Sequence, residues 1–102
     1  MNFRVLPEAD GEAIAAALWY DDRQPGLADE FFAEIEVAYA SIMQNPLGLP
    51  RLEYGFEMNE VHRCLMHRFP YSVIYVCRPE EVVVVAIAHT RHQPMYWLNR
   101  LM

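Results

Sequence analysis

Seven consecutive residues, Val82 to Ala88, are apolar, and most of them are β-branched. A run with no polar residue on either face reads as a strand lying inside a sheet. It is far too short to span a bilayer. The rest of the chain must therefore supply a sheet around this strand and elements to pack on it.

The N-terminal half supplies helices. Asn2 to Leu6 alternates, with Phe3 and Val5 on one side, and reads as a short strand. Pro7 suits a first helical position, and Glu8, Asp10 and Glu12 favour a helix N-terminus. Ile14, Ala17 and Leu18 follow at helical spacing, flanked by Ala13, Ala16 and Tyr20, up to about Arg23. Gln24-Pro25-Gly26 breaks the pattern. Leu27, Phe31, Ile35, Ala38 and Ile42 then form the clearest amphipathic stripe, widened by Phe32, Tyr39 and Met43, until Asn45-Pro46 stops it. Two amphipathic helices joined by a short break form an antiparallel hairpin.

After the Leu47–Pro50 loop the periodicity changes to that of strands. Leu52 to Phe56 is a weak one. Glu60 to Arg68 and Tyr71 to Arg78 are stronger, joined at Phe69-Pro70, and Arg78 to Glu81 turns into the valine-rich run. The expected fold is α+β over a single domain, residues 1–102. An N-terminal strand and a helical hairpin pack on one face of a mostly antiparallel sheet of four or five strands, in β-α-α-β-β-β order. With Arg68 opposite Tyr71, Cys64 faces Tyr75, and Cys77 is too distant for an easy disulfide.

Charge narrows the function classes. The net charge of −6 argues against generic nucleic-acid binding. Residues 7–44 carry nine acids and one base, Arg23, whereas residues 45–102 carry six bases and five acids. All eight bases are arginine, suited to forked contacts with carboxylate or phosphate and unsuited to proton transfer near neutral pH. With no signal peptide visible and two cysteines that read as free thiols, a cytoplasmic protein is expected.

The ordered landmarks are Trp19-Tyr20, Pro25-Gly26-Leu27, Asn45-Pro46, Arg63 and Leu65 before Arg68-Phe69-Pro70-Tyr71, Ile74-Tyr75, Ala88-His89-Thr90-Arg91 and Pro94-Met95-Tyr96-Trp97. This set resembles the RelE/ParE superfamily of type II toxin–antitoxin toxins, on its ParE-like side, over nearly the whole chain. The resemblance implies growth inhibition, neutralisation by a cognate antitoxin that wraps the toxin, and an oligomer formed with that antitoxin. ParE-like members are associated with poisoning of DNA gyrase. RelE-like members cleave mRNA on the ribosome.

By the same resemblance, RNA cleavage would use basic side chains on the middle strands and a C-terminal aromatic. Arg91, Tyr96 and His89 are the candidates here. Ser72 stands where an arginine is expected, and Glu53 and Glu57 would repel a phosphate, so most of the nuclease's parts are missing. His89 and His92, with two residues between them, lack the further ligands of a metal site. No metal or cofactor is expected, and His89 reads as a strand-end residue that bonds the following turn. The candidate binding residues for antitoxin or target are Arg63, Arg68, Tyr71, Arg91, Tyr96 and Trp97. Arg63 and Arg68 can equally pair with Glu53, Glu57 or Glu60 across the sheet. Because two helices cover one sheet face, the opposite face is expected to expose Arg63, Arg68, Arg91 and Trp97 to an acidic, apolar partner segment.

Overall fold

The computed structural model describes residues 1–52 and 60–101. Strand β1 (Asn2–Val5) leads into helix α1 (Pro7–Arg23), helix α2 (Leu27–Gln44), and strands β2 (Glu60–Leu65), β3 (Tyr71–Cys77) and β4 (Glu81–His89). The sheet order is β1-β4-β3-β2. β1 runs parallel to β4, and the other pairings are antiparallel. The α+β architecture, the element order and the interior place of the valine-rich strand are those expected. The weak strand at Leu52 to Phe56 falls largely outside the described residues; before it, Arg51 bridges His62 at the outer edge of β2.

Helix α2 packs as its stripe requires, with Phe31, Ile35, Ala38 and Ile42 buried. Its start is built by two residues. Gly26 adopts φ 99°, a left-handed conformation that favours glycine. Asp21, at the end of α1, accepts the Gly26 and Ala28 backbone N–H groups at 2.9 and 3.1 Å, capping the neighbouring helix.

Helix α1 differs from expectation. Its buried residues are Ala9, Ala13, Ala16 and Ala17, whereas Ile14 is 45% and Leu18 63% exposed. Small side chains let the helix axis approach the branched residues of β4 closely, so the alanines take the inward face and the larger aliphatics turn outward. Tyr20 is the aromatic junction of the hairpin, 4.8 Å from Phe69 and 5.7 Å from Phe31 between ring centroids. Its neighbour Trp19 points outward, under the Arg23 guanidinium.

The β2–β3 register also departs from expectation. Cys64 pairs with Val73 and Leu65 with Ser72, two positions away from the expected pairing. Phe69 is the cause. Its ring turns inward against Phe31 and Tyr20, and Pro70 has no N–H to offer a ladder, so the connection widens and Met66 N–H bonds Tyr71 C=O. Both cysteines are free. They lie on the helix-covered face, with Tyr75 between them along the strands.

The second sheet face is not left open. Trp97 is 3% exposed and Leu101 is buried; they pack with Val61, Ile74, Val76, Val83, Val85 and Ala86 as a second core. Met95, at φ 60°, turns the chain back beneath the sheet in the left-handed region that non-glycine residues seldom adopt. The apolar face that sequence reasoning reserved for a partner is therefore covered by the chain's own C-terminal segment. Among the described residues, no helix is long and apolar enough to cross a membrane.

Two stability measurements follow. Phe31→Ala should cost about 3–5 kcal/mol in denaturant unfolding, since the ring is fully buried; a loss below about 1 kcal/mol would place the stripe elsewhere. Burial, with added repulsion from Asp10 and Glu36, pushes the Tyr39 phenol up to about 12. A folded pKa above the unfolded value of about 10 gives a contribution present below pH 10 and lost as pH rises through 12. Tyr39→Phe should lose less stability over that window than the parent protein.

Candidate functional site

Most of the candidate residues converge at one end of the sheet, where β4 ends and the chain turns back. β4 carries His89 to the rim, and β3 begins there with Tyr71, whose ring meets the His89 ring at 5.1 Å. His89 Nδ1 accepts the Arg91 backbone N–H at 3.0 Å, the turn-bonding role its position suggested. With Nδ1 accepting, the neutral ring carries its hydrogen on Nε2, which leaves that nitrogen as a donor.

Two clefts flank this turn. A larger one of about 450 Å³ lies towards α1; its lining includes Glu12, Trp19, Tyr71, His89, His92 and Tyr96. A smaller one of about 200 Å³ opens over β2 and β3, between Arg63, Ser72, Thr90 and Met95. His89, His92 and Tyr96 line both clefts.

Glu12 is the residue that sequence reasoning missed. It lies on α1 facing the edge of β4. Oε1 accepts the Ile87 backbone N–H at 3.0 Å, Oε2 accepts the Tyr96 hydroxyl at 2.8 Å, and Arg100 donates to both oxygens at 3.1 Å. Arg100 also donates to the Val85 carbonyl at 3.0 Å. Burial first, then the bond to Glu12, pushes the Tyr96 phenol far above its ordinary range. That hydroxyl is a structural donor and is poorly placed to shuttle protons near neutrality. The only sequence hint was a glutamate one turn into an alanine-rich helix.

The arginines separate. Arg68 pairs with Glu30 at 2.6 Å, and its backbone N–H bonds Glu34, so it faces α2 and not the opposite sheet face. Its partners are helix acids, not the strand acids weighed from the sequence. Arg63 and Arg91 are exposed and make no ion pair among the described residues. Trp97, expected on the surface, lies in the second core. Tyr71 and Tyr96 are half-buried at the clefts.

A second polar cluster forms around His62. His62, 2% exposed, sits between the Leu49 carbonyl at 2.7 Å and Glu60 Oε2 at 2.9 Å, and stacks on Tyr75. Tyr75 donates to the Pro46 carbonyl at 2.6 Å, so the two rings pin the 46–49 segment to the sheet. Among the described residues, no group of three or more His, Cys, Asp or Glu side chains is placed to hold a metal ion.

If Glu12 and Arg100 act as a unit, their single substitutions should be non-additive. Glu12→Ala strands the Arg100 charge, the Tyr96 hydroxyl and the Ile87 N–H, and should cost about 3–5 kcal/mol. The Glu12→Ala/Arg100→Ala cycle should give a coupling of about 1–3 kcal/mol; a value below about 0.3 kcal/mol would dismiss the pair as a unit.

No protein-family model matches the chain. No curated protein matches it either. Among solved structures it is similar to a chain of the "Chromosomal ParDE TA system from P. aeruginosa", with a TM-score of 0.71 and 14% identity, covering 87% of this chain and 95% of that one. The strand, helical hairpin and three following strands described above are thus a fold shared with a chain of that structure.

Proposed function

We propose that the chain is the toxin component of a type II toxin–antitoxin module, inhibiting growth by binding an essential target and neutralised by a cognate antitoxin. DNA gyrase is the first target to test. The observation that carries this reading is the ParE-like fold together with the state of the rim. The Tyr96 hydroxyl is committed to Glu12, His89 Nδ1 is committed to the turn, and Ser72 is buried on the strand where a nuclease would need an arginine. These features favour a surface that binds over one that cleaves RNA. Arg63, Tyr71, Arg91 and Tyr96 then serve as contact residues around the two clefts. Arg68 extends the surface towards α2, and Trp97 supports it from beneath.

Induced expression, with and without the product of the neighbouring gene, tests the proposal. Growth arrest relieved by that product, with a DNA-damage response and intact mRNA, is the expected result. Rapid mRNA cleavage on ribosomes would replace this reading with the RelE-like one. Absence of any growth effect would leave an antitoxin-binding module without toxicity. Arg91→Glu should weaken both growth inhibition and antitoxin affinity if target and antitoxin share the rim. Wild-type values for both, in folded protein, would remove Arg91 from the functional surface.

A further inference from the structure

The outward side of the α1–α2 hairpin combines exposed apolar side chains with predominantly acidic charge. Ile14 and Leu18 stand four residues apart on α1, and Phe32 and Met43 are exposed on α2. Asp10, one turn before Ile14 on α1, and Glu36, one turn after Phe32 on α2, share the sides of the helices that carry these apolar residues, and both carboxylates also raise the Tyr39 phenol. Asp10, Asp29 and Glu36 make no ion pair among the described residues. The sole base of residues 7–44, Arg23, lies over the Trp19 ring and beside Asp22.

We infer that this apolar, acidic hairpin face docks a basic amphipathic helix of a partner protein. Charge selects the occupant. A second copy would bring the same carboxylates together, and a nucleic acid or anionic membrane would meet like charge across the whole face. Arg68 and Arg100 neutralise Glu30 and Glu12 of the hairpin, Arg4, Arg51 and Arg78 are engaged with Glu81, Glu60 and Glu81, and no arginine pairs with Asp10, Asp29 or Glu36 among the described residues. A helix with leucines on one side and lysines or arginines flanking them would cover Ile14, Leu18 and Phe32 while its cations meet Asp10, Asp29 and Glu36. The face lies away from the β4 rim, so its occupancy does not depend on the toxin reading or on the rim contacts.

The test titrates the full chain with three labelled synthetic peptides. One has leucine at helical spacing with lysine elsewhere, the second has glutamate in place of lysine, and the third is a scramble of the first that lacks an apolar side. The leucine/lysine helix should bind, weaken as salt rises, and lose about tenfold or more in affinity on Ile14→Ser/Leu18→Ser and on Asp10→Asn/Glu36→Gln. Amide-shift mapping on the unsubstituted protein should place it on α1 and α2, which keeps the test independent of whether the variants fold. Equal binding of the scramble or of the acidic peptide, or shifts confined to the β4 rim, would overturn the proposal. So would self-association of the chain abolished by the same substitutions.

Discussion

The carboxylate of Glu12 closes an edge that the backbone leaves open. β1 pairs with β4 only as far as Val5 and Val84, because the chain must then leave the sheet to begin α1 at Pro7. Beyond that point β4 has a free edge, and its Val85 carbonyl and Ile87 N–H need partners. Glu12 takes the N–H, Arg100 gives to the carbonyl, and the two side chains bond each other in a forked pair. One ion pair thereby fixes the helix, the sheet edge and the C-terminal segment relative to one another. Tyr96 joins through the same carboxylate, so both clefts inherit their walls from it.

Much of the fold was legible because it rests on periodicity. The α2 stripe, the interior valine run and the Gly26 break each have a local signature, and each stands where its residues indicate. The misreadings arose where side-chain size and direction outrank pattern. In α1 hydrophobicity marked Ile14 and Leu18 as inward, but close approach to β4 selects alanine. In the β2–β3 hairpin the sequence places the turn at Phe69-Pro70, whereas the inward Phe69 ring widens the connection and moves the register by two. The second face was assigned to a partner because no regular element remained to cover it; an irregular segment carrying Trp97 and Leu101 does so.

The rim was legible in part, as His89 and Arg91 follow directly from the end of a strong strand. The residues that support it were not. Glu12 and Arg100 are 88 positions apart, and Glu60 and His62 are ordinary strand residues until the 46–49 segment folds over them. Long-range polar pairs carry no spacing signal. For the same reason the charge count was informative as a sum and misleading as a map. Of the three arginines meant for a partner, Arg68 is bound to α2 and only Arg63 and Arg91 keep no ion pair among the described residues, while the carboxylates without an ion pair lie mainly on the hairpin.

The pairing of β1 with β4 also sets an order of events in the chain's synthesis. Arg4 and Glu81, which meet across that pairing, are 77 positions apart. When the ribosome has completed β1 and both helices, the parallel partner of β1 does not yet exist, and Glu12 has no edge to close. The hairpin can form early, since its contacts are local, but the sheet must wait for Glu81–His89 to emerge. Throughout that interval Phe3, Val5 and the inner faces of α1 and α2 remain uncovered. The nascent chain is then a different binding object from the finished one, with its apolar helix surfaces accessible before the β4 rim has been built.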